Sequence, residues 1–167
     1  MRVLITNISP LRDAALYEEL LRYVPAERQE KIARCGKQED RRRSLGAGLL
    51  LEYGLRSLGC SLLPLVPGTE TVHLVRGAYG KPELSGGTGV HFNLSHAGDY
   101  AAAVFDDGAV GIDVERAREC ECYAKAVYGS GECVSAEQTG CVFKTLDAQG
   151  KLLQSGRGRT APAAFFF

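Results

Sequence analysis

Three apolar runs in close succession, Val90–Ser95, Tyr100–Phe105 and Val110–Glu115, constrain this chain more than any other feature. Each reads as a strand, and Asp106-Asp107-Gly108 between the last two reads as a hairpin-type turn. Residues 2–7 alternate apolar and polar as an opening strand would, and Val72–Val75 reads as a further short one. Between them the period changes. Ser9-Pro10 resembles a helix start, with Leu11, Ala15, Leu20 and Leu21 striping one face to about Tyr23. Pro25-Ala26-Glu27 opens a second helix that runs to about Cys35. Leu51, Leu55 and Leu58 at i, i+4 and i+7 mark a long third helix from roughly Glu39 to Leu58, closed by Gly59. Residues 61–71 read as loop, and Ala78-Tyr79-Gly80-Lys81-Pro82 as a turn. The expected architecture is α+β, with helices packed on one side of a mostly antiparallel sheet.

Two of these strands end in chemistry. Phe92-Asn93-Leu94-Ser95-His96 closes an apolar run with a hydroxyl and an imidazole. Gly111-Ile112-Asp113-Val114-Glu115 sets two carboxylates on alternate positions, so Asp113 and Glu115 point to the same side of their strand. Paired carboxylates beside a group that can hold an anion suit a hard divalent cation bridging phosphates. Taken singly, each feature has a plain reading. Ser95 and His96 can end a strand with the imidazole hydrogen-bonded in the core, and Asp113 and Glu115 can be the wet face of an edge strand. Arg41-Arg42-Arg43 can be a solvated helix face, and Lys81 an ordinary turn residue.

At 167 residues the chain can build one domain with a real core, and its formal net charge of zero gives no support to bulk nucleic-acid binding. No apolar run approaches membrane-spanning length, and the start Met1–Thr6 turns polar too soon for a signal peptide. The six cysteines, Cys35, Cys60, Cys120, Cys122, Cys133 and Cys141, are therefore expected to be reduced thiols in the cytoplasm. Cys120-x-Cys122 lacks the paired spacing of a zinc site.

With Arg43-Ser44-Leu45-Gly46-Ala47, Tyr79-Gly80-Lys81-Pro82, Phe92–His96 and Gly111–Glu115 in this order, the chain resembles the N-terminal part of a surfactin-synthetase-type 4′-phosphopantetheinyl transferase, over about residues 1–118. The resemblance implies an enzyme that moves the phosphopantetheine arm of coenzyme A onto a serine of an apo acyl or peptidyl carrier protein, with Mg2+ required. It implies a pseudo-dimer of two similar halves, of which residues 1–118 are the first, with the active site between them. Carried over by motif, Asp113 and Glu115 would be the magnesium ligands and catalytic acids. Ser95 and His96 would hold phosphate oxygens, Lys81 would contact coenzyme A, and Arg43 would pair with its 3′-phosphate. Lys31 and Arg34 stand where such enzymes keep basic residues near that phosphate. No nucleic acid or membrane is implied as a partner. A non-catalytic half-domain that binds coenzyme A or a nucleotide is the alternative.

After Arg118 the character changes. Residues 119–167 hold four of the six cysteines, many glycines and a terminal Phe165-Phe166-Phe167, and are expected to be aberrant and poorly ordered. Such transferases continue with a helix bearing W-x-x-K-E-x-x-x-K, yet this chain has no tryptophan. A shifted reading frame would account for that. One set of codons able to encode Leu146–Gln154, CTG-GAC-GCG-CAA-GGA-AAG-CTT-CTA-CAA, reads W-T-R-K-E-S-F-Y one base later. Lys125-Ala126-Val127-Tyr128 in the same frame permits K-R-F-M. The expectation is a one-base insertion or deletion near codons 124–125, checked by resequencing that stretch in independent clones.

Overall fold

The computed structural model describes residues 1–64, 66–77, 80–116, 141–147 and 152–158. Its strands are β1 (Arg2–Asn7), β2 (Cys60–Ser61), β3 (Glu70–Thr71), β4 (Leu74–Arg76), β5 (Pro82–Leu84), β6 (His91–Ala97), β7 (Tyr100–Asp106), β8 (Val110–Arg116), β9 (Cys141–Asp147) and β10 (Leu152–Gly158). The helices are α1 (Ala14–Leu20), α2 (Ala26–Ala33) and α3 (Gln38–Arg56). All sheet pairings are antiparallel except the two-residue parallel contact of β2 with β3. The α+β class read from the sequence is the class observed.

The first helical stripe is broken where the sequence reading runs it on. Ser9–Arg12 and Leu21–Tyr23 are 3₁₀ turns on either side of α1. Asp13 caps α1 by accepting the Leu16 N–H at 2.8 Å, which stops the Ser9-Pro10 turn from continuing into one helix. In α2, Glu27 sits in the first turn and Lys31 in the last, each matching the helix dipole, and Ile32 is buried. The long helix α3 ends near Gly59, whose φ of 78° is open to glycine at little cost.

The tight hairpin is not where Asp106-Asp107-Gly108 placed it. β7 pairs with β6 through a two-residue connection, Ala97 facing Tyr100, with Gly98 at φ 56°. Its other edge pairs with β1, Arg2 facing Phe105 through Asn7 facing Tyr100, giving the order β1-β7-β6. With both edges taken, β7 has no ladder left for β8. β8 instead starts a second sheet, β10-β9-β8, and lies alongside β6. Two side chains bridge the gap: Asn93 Oδ1 accepts the Ile112 N–H at 3.4 Å, and Ser95 Oγ accepts the Val114 N–H at 3.1 Å. Both contacts span 19 residues, so β6 and β8 run in the same direction.

The central strand β7 is buried on both faces, which explains its small residues Ala101, Ala102 and Ala103. One face meets α3: Ala101 packs with Leu45 and Leu49, and Ala103 and Phe105 with Leu51 and Leu55. Ala102 and Val104, on the other face, are covered by Val110, Ile112 and Val114 of β8. Each fully buried Leu, Val or Phe here is worth about 1.5–3 kcal/mol against exposure. A polar joint ties α3 to β2. The buried Glu52 carboxylate accepts from Ser61 Oγ at 2.5 Å, Leu62 N–H at 2.9 Å and Arg56 Nε at 2.7 Å.

Within the stretch expected to be poorly ordered, residues 141–147 and 152–158 pair as β9 and β10, extending from β8. The remaining positions of that tail, together with Leu65, Ala78 and Tyr79, lie outside the described residues. Among the described residues no helix is long and apolar enough to cross a membrane.

Candidate functional site

The end of β6 organises the site because neighbouring strand residues point to opposite faces. Phe92 and Leu94 face the α3 side of the sheet and join its core cluster. His96 shares their face. Asn93 and Ser95 face the other way and meet β8. Two groups of polar side chains therefore flank one strand end.

On the helix side stands a charged cluster. Arg43, on the second turn of α3, is half-buried and donates from Nη2 to Asp40 Oδ1 at 2.6 Å, with Glu39 further away at 4.0 Å. That bond is the main reason the Asp40 carboxyl lies below the usual carboxylate range, with the charges of Arg43, Lys37 and His96 adding to it. His96 lies within the field of the same groups. Its imidazole is solvent-exposed at the surface of β6, yet partial desolvation by its surroundings is the first cause holding it below the ordinary value, and the positive charges of Arg43 and Lys31 act in the same direction. Its own main-chain hydrogen bond and the Asp40 charge oppose them. The charges of Lys31 on α2 and of Asp40 and Arg43 on α3 thus all act on His96 of β6. Arg34 does not join them in the same way: it pairs with Glu30 at 3.5 Å and is 81% exposed.

On the β8 side stand the carboxylates. Ile112 and Val114 are buried while Asp113 is exposed, the alternation that puts Asp113 and Glu115 on the face away from the core. Asp113 Oδ1 accepts from Ser95 Oγ at 3.2 Å and from the Val114 N–H at 3.0 Å. Glu115 Oε2 is buried without a hydrogen-bond partner among the described residues. A buried acceptor left unpaired is costly, and a cation satisfies it. Two carboxylates, one of them so orphaned, fit a hard cation that keeps several waters. No group of three or more His, Cys, Asp or Glu that could hold a metal ion exists among the described residues. Lys81 closes this side by donating from Nζ to the Val110 carbonyl at 3.3 Å, at the start of the carboxylate strand.

The sequence reading missed two participants. Asp40 is an unremarkable acid one turn before an arginine, and only the fold brings its charge to bear on His96. Asn93 lies inside a quoted motif, but its bridging role depends on β8 lying next to β6. Ser44, directly after Arg43, buries an unpartnered Oγ.

Comparison with known proteins gives the family. Residues 10–106, more than half of the chain, match the family model described as "4′-phosphopantetheinyl transferase, N-terminal". The chain is 30% identical over 99 residues to the 4′-phosphopantetheinyl transferase ffp of Bacillus subtilis, covering 59% of this chain and 42% of that relative. It is 43% identical over 68 residues to the 4′-phosphopantetheinyl transferase AcpT of Salmonella typhi, covering 38% and 35% respectively. With the 4′-phosphopantetheinyl transferase psf-1 of Bacillus pumilus it shares 30% identity over 118 residues, 69% of this chain and 48% of that one. The match spans less than half the length of each of these relatives. Matched over most of its helical and central-strand region, the chain belongs to the 4′-phosphopantetheinyl transferase family.

Proposed function

We propose that the site binds coenzyme A and serves transfer of its 4′-phosphopantetheine to a serine of an apo acyl or peptidyl carrier protein, in the cytoplasm. In that reaction the serine oxygen bonds to the phosphorus on the pantetheine side of the diphosphate. The bond from that phosphorus to the bridging oxygen breaks, adenosine 3′,5′-bisphosphate leaves, and the serine proton passes to a base. The observation that carries the reading is the split at the end of β6, where Ser95 meets Asp113 on one face while His96, on the other, lies in the field of Lys31, Asp40 and Arg43. A ligand with a ribose phosphate and a diphosphate has two separate anionic ends, and the two flanks of the strand suit one each.

In this reading Arg43 and His96 take the 3′-phosphate, where a planar guanidinium can meet two oxygens. Ser95 and Lys81 lie toward the diphosphate. Asp113 and Glu115 would hold Mg2+, which when bound offsets charge on the diphosphate oxygens. The unpaired cysteines Cys35 and Cys60 suit a reducing compartment.

The second reading, a half-domain that binds coenzyme A without turnover, is favoured by the absence of a three-donor metal group among the described residues. One assay separates the two. With coenzyme A, Mg2+ and an apo carrier protein, the carrier should gain one phosphopantetheine by mass, and Asp113→Asn should slow this by about tenfold or more. Coenzyme A binding with no gain of mass supports the second reading. Absence of binding with and without Mg2+ removes both.

A further inference from the structure

We propose that Asp40 is a positioning residue: its carboxylate holds the Arg43 guanidinium in the orientation that accepts a ribose phosphate, and so sets the preference for ligands bearing one. The proposal rests on the reading of Arg43 and His96 as the 3′-phosphate partners.

The geometry is specific. Asp40 and Arg43 are one turn apart on the same face of α3, and the Nη2–Oδ1 distance is 2.6 Å. Arg43 is 22% exposed and Asp40 47%, so the acid anchors the arginine from its solvent side. A guanidinium has five N–H donors in one plane, and one bond to Asp40 fixes that plane while leaving the rest for an anion. Asp40 itself is at home in the first turn of α3, where the helix dipole favours a carboxylate. It needs no other reason to be charged.

Charge alone predicts the opposite behaviour, which makes the idea testable. With His96 neutral, Lys31, Lys37 and Arg43 against Asp40 and Glu39 leave the cluster one positive charge. Removing Asp40 leaves two. If Asp40 were only a nearby negative charge, its loss would tighten binding of every anion. If it positions Arg43, its loss weakens the ligand that uses Arg43 and spares the one that does not.

The probes are adenosine 3′,5′-bisphosphate and adenosine 5′-monophosphate, titrated calorimetrically into the 167-residue chain. The unmodified chain should prefer the bisphosphate by about tenfold or more, the scale of a charge-assisted bidentate contact. Asp40→Ala should cut that preference to about twofold, mainly by weakening the bisphosphate, and Asp40→Glu should restore most of it. A general loss of folding would move both nucleotides together and leave their ratio alone. An unchanged or larger ratio in Asp40→Ala that still binds the monophosphate as the unmodified chain does, or in Asp40→Asn where Asp40→Ala fails to fold, or tighter binding of both nucleotides, overturns the proposal. Arg43→Ala separates the two levels. If it erases the preference while Asp40→Ala keeps it, only the role of Asp40 fails. If the unmodified chain shows no preference, or Arg43→Ala retains it, the reading of the site fails and the proposal falls with it.

Discussion

Ser95 and His96 are adjacent in sequence yet belong to different chemical neighbourhoods, and this division is the basis of the site. Both residues could be picked out from the motif Phe92–His96, but their partners could not. A strand reading states that they diverge; only the position of α3 on one face and β8 on the other says toward what. The imidazole gives a residue-scale prediction. Its folded value is depressed, so the unfolded chain binds more protons as pH falls through the range near and below 6.5. The stabilisation from neutral His96 is therefore complete above that value and is lost as pH drops toward the depressed one. The urea midpoint of the unmodified chain should fall between about pH 7 and pH 5 by more than that of His96→Gln. Equal pH profiles would show that His96 is not shielded. The depressed values of Asp40 and Asp106 act in the same direction but at lower pH, and both groups remain in the variant.

At the scale of elements, close contact between α3 and the rest of the sheet layer depends on missing side chains. A Cβ on Gly54 would lie 2.2 Å from Cζ of Phe105, and one on Gly46 would lie 2.4 Å from Cγ2 of Ile8. Gly54→Ala should destabilise by about 1–3 kcal/mol from overpacking, less about 1 kcal/mol regained in helix propensity. Gly36→Ala, where nothing lies within 4 Å, is the control and should stay within about 0.5 kcal/mol. Urea unfolding checks both, and equal midpoints would mean that α3 can lift off Phe105 freely. The helix itself was legible in Leu51, Leu55 and Leu58, although Leu58 lies beyond its end and is 38% exposed. The strand runs were legible too. Their pairing was not, because Gly98-Asp99 and Asp106-Asp107-Gly108 are both plausible turns by local chemistry. The choice was made by β1, which occupies the edge of β7 that β8 would have needed.

At the scale of the whole molecule, residues 10–106 carry the family match and the cation cluster, while the carboxylate strand follows just beyond them. The W-x-x-K-E motif expected downstream is absent from the written frame, where residues 146 and 147 close β9 and residues 152–154 open β10. If the frame is shifted after codon 124, restoring it should raise the rate of carrier loading by at least about tenfold over the chain as written, because the resemblance implies that the motif's glutamate completes the metal site or acts as base. Equal rates would show that the motif is not needed. The amino-acid order by itself determined the long helix, the longer strands of the first 116 residues and the α+β class, and it marked most of the candidate site residues, since periodicity and residue type are local properties of a chain. What only the tertiary structure decided is which of those residues meet. Asp40 within the field of His96, Ser95 on Asp113 and Asn93 against Ile112 join residues brought together by strand order and by the seat of α3, and both are settled by burial of the whole core rather than by any local signal.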